Sequence, residues 1–292
     1  MRYVLVIILL MHSLLFNAKE KRALLIGISE YPQHQIDKEA SWNSIHGAND
    51  ALLLSKTLKA QNFKVRTILN KEATASNIRK AIKKLASEAT KGDLIYIHIS
   101  SHGQPFEDKN GDENDGWDES IVPYDAYKKP IPGIYQGDKH IIDDEMELSL
   151  ASIRKCVGPS GFIYVVIDAC HAGEFQRTDD EEEDIYIRGT RSGFSLTNKS
   201  YTPQINRSST FKIPSNASMS DICMIEACRS YQTNCEIKED GVYYGPLSFY
   251  INRIIRKHDL TSDLSWLTEL DGQMKLDRRL SKQNIVIEKS QK

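Results

Sequence analysis

The chain alternates short apolar runs with longer segments in which apolar residues recur every three or four positions. Apolar runs bounded by turn residues are typical of buried strands, and the i, i+3, i+4 spacing is typical of one-sided helices. Their alternation predicts right-handed crossovers and a mostly parallel sheet covered by helices on both faces. The predicted strands are residues 22–29, 63–69, 93–100, 162–167, 222–226 and 285–287, and the predicted helices are residues 49–59, 75–89, 144–155, 247–257 and 263–277.

Residues 174–220 interrupt this alternation. They contain an acidic run at 179–184, scattered basic residues and many Ser, Thr and Asn, with little apolar periodicity. A loop of this length in a compact domain is usually functional or disordered.

The N-terminus has the pattern of a secretory signal. Arg2 precedes an apolar stretch from Val4 to Phe16, which is too short for a comfortable membrane span. We therefore predict a signal peptide at 1–18. Because no Pro/Gly/Ser-rich linker divides the rest, residues 19–292 are predicted to form a single domain.

Composition narrows the choice of partners. The chain has 292 residues and a formal net charge of -2, so nothing in the charge balance favours nucleic acid binding.

Its five cysteines are an odd number without a framework spacing, so at least one thiol should be free. Cys156 and Cys223 lie among apolar neighbours and are interpreted as small buried residues.

Two chemically important residues follow predicted strands. The strand at 93–100 leads into His102 and Gly103, and the strand at 162–167 leads to Cys170. Since open α/β sheets bind ligands beyond the carboxyl ends of their strands, His102 and Cys170 are expected at one edge. There the imidazole could take the thiol proton and later protonate a leaving group. The amides of Gly103 and Cys170 could stabilise an oxyanion.

Other cysteines and histidines are weaker candidates than this pair. Cys228 also follows an apolar run, but the residues after it lack a glycine that would open space around a nucleophile. His98 alternates with isoleucines inside its strand and is interpreted as a core residue. The side chain of His171 should point away from that of Cys170 if the chain is extended there.

The polar segment at 107–119 has the composition of a calcium-binding loop. It does not follow the EF-hand pattern, because the sixth position counted from Asp108 is Glu113 and not glycine. A solvated loop is the simpler interpretation. Carboxylates from this loop and from Asp143 and Asp144 could still form an irregular calcium site.

The chain resembles the metacaspase-type, caspase-like cysteine peptidases over nearly all of the predicted mature segment. The motifs that carry the resemblance are residues 23–28 (ALLIGI), 46–51 (HGANDA), 101–103 (SHG), 111–125 (GDENDGWDESIVPYD) and 168–173 (DACHAG). The resemblance implies the caspase-haemoglobinase fold, a three-layer α/β/α sandwich with a mostly parallel six-stranded central sheet.

The resemblance also implies roles for individual residues. His102 would be the general base and acid, Cys170 the nucleophile, and Asp50 and Asp168 the lining of the primary specificity pocket. Two carboxylates in a closed pocket suit a guanidinium or ammonium group, so cleavage after Arg or Lys is implied. Ser101 stands where the family usually has glycine and could narrow the oxyanion region.

Some relatives require calcium as an activator, although the chemistry itself needs no cofactor. The implied ligands here are Asp118, Asp143 and Asp144. Relatives are also often cleaved by themselves near the catalytic strand. The basic residues available in the long loop are Arg177, Arg188, Arg191, Lys199 and Arg207. We expect this loop to cover the pocket until it is cut.

The sequence thus predicts a secreted or periplasmic, monomeric cysteine endopeptidase that acts on peptides or proteins with Arg or Lys at the cleavage site. No nucleic acid partner is expected, and no membrane association after signal removal. Two alternatives stay open: a catalytically silent caspase-like binding module, and another thiol hydrolase such as an amidase.

Overall fold

The computed structural model describes residues 19–171, 185–205, 208 and 210–290. The predicted signal at 1–18 and the acidic run at 179–184 lie outside the described residues, as do Arg177 and Arg207. The strands are β1 Lys21–Gly27, β2 Lys64–Leu69, β3 Leu94–Ser100, β4 His102–Glu107, β5 Trp117–Val122, β6 Ile141–Ile142, β7 Phe162–Asp168, β8 Thr210–Ile213, β9 Asp221–Glu226, β10 Ile237–Glu239, β11 Val242–Tyr244 and β12 Val286–Ser290. The helices are α1 Gly47–Ala60, α2 Ala75–Glu88, α3 Asp143–Val157, α4 Pro246–Ile255 and α5 Trp266–Leu276.

The central sheet has seven strands in the order β2-β1-β3-β7-β9-β12-β8. The five strands from β2 to β9 are parallel, β12 is antiparallel to β9, and β8 is parallel to β12. The prediction of a mostly parallel sheet is confirmed, with seven strands in place of six. The additional strand, β8, lies within the segment predicted to be loop, because four residues pairing with a distant strand leave no local pattern.

Two hydrophobic clusters, one on each side of the sheet, produce the three layers. Along β3, Ile95 and Ile97 belong to one cluster with residues of α2 and α3, whereas Tyr96 belongs to the other with residues of α1, α4 and α5. Successive side chains of a strand point to opposite faces, so a continuous apolar run fills both clusters. This arrangement confirms the predicted α/β/α sandwich.

Two smaller sheets were not predicted. Strands β4, β5 and β6 form an antiparallel sheet within the polar segment that follows His102, and β10 and β11 form a hairpin. Strands β4 and β5 carry polar residues, and β6, β10 and β11 have only two or three residues each, so none gives the apolar signal on which strand prediction depends.

Close packing of α1 on the sheet positions the predicted pocket residue Asp50. A Cβ atom on Gly27 would lie 2.4 Å from the Gly47 carbonyl oxygen, and one on Gly47 would lie 2.4 Å from that of Ser100. Only glycine allows this approach. It brings the first turn of α1, which carries Asp50, against the carboxyl ends of β1 and β3.

The burial of the cysteines agrees with one prediction and contradicts another. None of the five cysteines, all of which lie among the described residues, forms a disulfide bond, and Cys223 is buried as predicted. The prediction for Cys156 is wrong, because this residue is exposed near the C-terminal end of α3. Among the described residues, no helix combines the length and the apolar character that crossing a bilayer requires.

Candidate active site

The strand register places the predicted His/Cys pair at one edge of the sheet. In the β3–β7 pair, Ser100 lies opposite Asp168. His102 comes two residues after Ser100, and Cys170 comes two residues after Asp168. Both therefore lie at the same height beyond the carboxyl edge of the sheet. Both are buried, with 3% of His102 and none of Cys170 exposed.

The His102 ring is held so that one nitrogen stays open. Its Nε2 lies 2.8 Å from the carbonyl oxygen of Asn43, and since a carbonyl can only accept, Nε2 carries the proton. The ring packs between Trp42 and Tyr31, at centroid distances of 4.8 and 5.1 Å. Burial lowers the pKa of His102 to about 3, so the ring is neutral. Among the described residues its Nδ1 has no hydrogen-bond partner, and this atom is therefore free to accept a proton.

The Cys170 thiol is not hydrogen-bonded to His102. Its Sγ donates to the carbonyl oxygen of Gln232 at 2.9 Å, and the Sγ of Cys228 lies 3.5 Å from the same oxygen. The hydrogen bond to Cys170, together with burial, raises the pKa of Cys228 well above its ordinary value. The alternative nucleophile is thus a protonated neighbour of the predicted one.

The predicted oxyanion donors already hold a carbonyl group of this chain. The backbone amides of Gly103 and Cys170 donate to the carbonyl oxygen of Arg188, at 3.0 and 3.1 Å. The Ser101 hydroxyl donates to the His102 carbonyl oxygen at 2.9 Å. A Cβ on Gly189 would lie 2.1 Å from the Cys170 carbonyl oxygen, so the Arg188–Gly189 peptide bond packs directly on Cys170.

The Arg188 side chain fills the pocket that the sequence predicted from Asp50 and Asp168. Its Nη1 donates to Asp50 Oδ2 at 2.7 Å and to the Ser100 hydroxyl, and lies 3.6 Å from Asp168 Oδ1. Its Nη2 donates at 2.8 Å to Glu236, a residue that the sequence did not single out. All four charged side chains are fully buried.

The charges in this pocket depend on one another. Burial alone would lower the pKa of Arg188, but Asp50, Glu236 and Asp168 outweigh it and raise that pKa above its ordinary value. Burial raises the pKa of Asp50 to about 7 although Arg188 opposes the shift. Three carboxyl groups thus face one guanidinium, an arrangement that suits a basic side chain.

The segment before Gly189 is bound in extended form. The Arg188 amide donates to the Asn234 carbonyl at 3.0 Å, and the Glu236 amide donates to the Tyr186 carbonyl at 2.9 Å. This is the antiparallel pairing by which an extended peptide adds to a strand.

Asp168 is held mainly by other groups of the pocket wall. Its Oδ2 accepts from the amide and hydroxyl of Ser248, and its Oδ1 from the Asn234 side chain at 2.7 Å. The Ser248 hydroxyl also lies 3.1 Å from His98 Nε2, and His98 is fully buried, in agreement with its interpretation as a core residue. Burial lowers the pKa of His171 to about 4, and its ring packs near Gly103.

The acidic loop between β4 and β5 groups carboxylates differently from the implied set. Asp108, Asp112 and Asp118 each place one oxygen within 4.8 Å of the others. Asp118 Oδ1 is buried without a hydrogen-bond partner among the described residues. Burial, followed by the charges of Asp143, Asp108 and Asp144, raises the pKa of Asp118 to about 7. Asp143 and Asp144 thus act on Asp118 electrostatically but are not in this three-oxygen cluster, whose hard oxygen donors fit calcium.

Three residues of the site have no sequence signal that separates them from similar residues. Glu236 lies in an irregular segment, Ser100 ends a predicted strand, and Gln232 contributes only its backbone carbonyl. Arg188 is one of the basic residues of the long loop, but nothing local distinguishes it from Arg191.

Known proteins and protein families include several whose sequences are similar to this chain. The caspase-domain family model matches residues 20–291. The chain is 24% identical to Metacaspase-1 of Eremothecium gossypii, over 89% of this chain and 63% of that protein. It is 32% identical to Metacaspase-7 of Arabidopsis thaliana, over 52% of this chain and 35% of that protein. The chain therefore spans less than two thirds of the length of these two curated relatives.

Solved structures agree on the fold. A Geobacter sulfurreducens protein superimposes with a TM-score of 0.62 at 18% identity, covering 94% of each chain. Caspase-1 of Spodoptera frugiperda gives a TM-score of 0.52 at 14% identity, covering 92% of this chain and 88% of that one. By its family match and its curated metacaspase relatives, the chain belongs to the caspase-domain family of cysteine peptidases.

Proposed function

We propose that this chain is a cysteine endopeptidase that cleaves after basic residues, and that its own Arg188–Gly189 bond is one of its substrates. The observation that carries the proposal is the position of Arg188. Its guanidinium lies among Asp50, Asp168 and Glu236, and its carbonyl oxygen accepts from two backbone amides. A substrate with a basic residue at the cleavage site would make the same contacts.

In the proposed reaction the Cys170 sulfur attacks the carbonyl carbon of the basic residue, and the thiol proton passes to His102 Nδ1. The amides of Gly103 and Cys170 stabilise the negative charge that forms on the carbonyl oxygen. The carbon–nitrogen bond then breaks, and His102 gives the proton to the leaving amine. Water, deprotonated by His102, hydrolyses the resulting thioester and restores the thiol. The Asn43 carbonyl positions the ring throughout, since it fixes the proton on Nε2.

The same contacts keep the uncut chain inactive. Arg188 occupies the pocket and the oxyanion site at once, and the thiol is turned to the Gln232 carbonyl. A rotation about the Cα–Cβ bond of Cys170, away from Gln232, is the step that would begin self-cleavage. After cleavage, the new C-terminus at Arg188 can leave and expose the pocket to other substrates.

Calcium is proposed as an activator, held by Asp118 with Asp108 and Asp112. The unpartnered Asp118 oxygen and its raised pKa support a cation at this position. The loop that carries Asp108 and Asp112 joins β4, which begins at His102, to β5. A cation there would stiffen one end of the β4–β5 hairpin, whose opposite end carries His102.

We also propose that the protein is exported, on the basis of the apolar pattern at 1–18, and that it acts as a monomer. A cell fractionation experiment would test export, and sedimentation of the purified chain would test the oligomeric state.

The central experiment is peptide hydrolysis by the chain from Lys19 onward, on fluorogenic substrates that end in Arg, Lys, Asp or Asn, with and without calcium. We expect turnover after Arg or Lys that disappears in Cys170→Ala and persists in Cys228→Ala. Mass spectrometry should locate self-cleavage between residues 188 and 189.

Other outcomes would contradict the proposal. Absence of turnover on every substrate, even after limited proteolysis of residues 174–220, would favour a catalytically silent binding module. Hydrolysis without preference for a basic residue would favour another thiol hydrolase. An intact chain in an active preparation would refute both self-cleavage and the inhibition of the uncut chain by Arg188, but not the peptidase activity.

A further inference from the structure

We infer that Glu236 makes the pocket select arginine over lysine, an inference that rests on the peptidase activity proposed above. Two edges of the Arg188 guanidinium are bound by different carboxylates. On one edge, Nη1 donates to Asp50 Oδ2 at 2.7 Å. On the other edge, Nε and Nη2 both donate to Glu236 Oε1, at 3.1 and 2.8 Å. Asp50 contacts the end of the side chain, whereas Glu236 contacts its side.

A lysine side chain cannot satisfy both carboxylates. Its single nitrogen occupies the chain position of the guanidinium carbon of arginine, and it has no donor equivalent to Nε. An ammonium that moved towards Glu236 would leave Asp50, and one that moved towards Asp50 would leave Glu236. Because both carboxylates are fully buried, the one left without its cation would lose a charge-assisted hydrogen bond that water cannot replace, which is costly.

Glu236 is fixed by groups other than the arginine. Its Oε1 accepts from the His46 amide at 2.7 Å, and its Oε2 lies 2.5 Å from His46 Nδ1. The His46 ring in turn stacks on Tyr243 at a centroid distance of 4.9 Å. His46 directly precedes α1, which carries Asp50 in its first turn. The two carboxylates are therefore held at a spacing that matches the two edges of a guanidinium.

The test compares paired substrates that differ only in Arg or Lys at the cleavage site, and the readout is the ratio of their kcat/KM values. Charge-assisted hydrogen bonds made by one substrate alone predict that Glu236→Gln lowers kcat/KM for Arg by about tenfold or more and that for Lys by about threefold or less. Glu236→Asp keeps the negative charge but moves it away from the guanidinium, because the side chain is one methylene shorter. The ratio of kcat/KM for Arg to that for Lys should therefore fall, but by less than in Glu236→Gln. Glu239→Gln is the matched control. It removes the same charge from the last residue of β10, which pairs with Arg279 and not with Arg188, and it should leave the ratio unchanged.

An unchanged ratio in Glu236→Gln, whether neither substrate loses activity or both lose it equally, would overturn the inference. If the wild-type chain hydrolyses none of the substrates, the proposed function fails. The inference about Glu236 is then decided by a measurement that does not depend on catalysis. In the Cys170→Ala chain, hydrogen exchange at the Gly103 amide reports whether the Arg188 carbonyl is bound. Adding Glu236→Gln or Arg188→Lys should deprotect this amide to a similar degree. Full protection in Glu236→Gln would refute the role of Glu236 in binding the guanidinium.

Discussion

The contact between Gly189 and Cys170 gives a sharp prediction, because one added methyl group should stop self-cleavage. In Gly189→Ala the new Cβ would lie 2.1 Å from the Cys170 carbonyl oxygen and 2.8 Å from its carbonyl carbon. Ordinary contacts begin at 3.4 Å, so the segment must move by more than 1 Å. The atoms it would strike belong to the backbone beside β7, which cannot yield as a flexible side chain can.

The size of the effect follows from what this movement disturbs. The Arg188 carbonyl would leave the amides of Gly103 and Cys170, which it now accepts from at 3.0 and 3.1 Å. A misplacement of about 1 Å can cost roughly 100-fold in rate, and loss of one oxyanion donor costs about 10²–10³-fold. We therefore expect self-cleavage after Arg188 to slow by at least about 100-fold.

The assay follows the intact chain and its two fragments over time by mass spectrometry. Gly272→Ala is the matched control, because a Cβ on Gly272 of α5 meets nothing within 4 Å. It should cleave at the wild-type rate. If Gly189→Ala cleaves after Arg188 as fast as this control, the bound geometry is not the one that reacts, and the role given to Arg188 is wrong.

Three further predictions concern the base, the acidic loop and the partly buried carboxyl group of Glu226. His102→Gln should lower kcat by about 10²–10⁴-fold without preventing peptide binding, measured by steady-state kinetics and by titration with an uncleavable peptide. Calcium should raise the melting temperature of the wild-type chain but not of Asp118→Asn, and an equal rise in both would exclude Asp118 as a ligand. Burial raises the pKa of Glu226 to about 8, so the folded chain keeps this proton to higher pH than the unfolded chain does. Stability should therefore fall as pH rises from about 5 to 8, and Glu226→Gln should flatten that decline in thermal melts.

The sequence alone determined the layers of the fold and the position of the reacting pair. Apolar runs and helical spacing are local patterns, and parallel strands necessarily share one carboxyl edge, so the order of residues is enough to bring His102 and Cys170 together. Pocket residues Asp50 and Asp168 came from resemblance, since nothing in their local sequence marks them as neighbours. The glycines at 27 and 47 explain how they meet.

Only the tertiary structure decided what occupies the pocket. Arg188 and Arg191 are equivalent as sequence, and Glu236 is one acidic residue among many. Their roles depend on a segment distant along the chain pairing with residues 234–236, which places one guanidinium against two fixed carboxylates and one carbonyl against two amides. Short irregular segments of this kind gain their geometry from long-range contacts and carry no periodic pattern. Strand β8 and the β4–β6 sheet were not predicted for the same reason. Pairing between separate segments is set by the packing of the whole chain and not by the residues on either side of each segment.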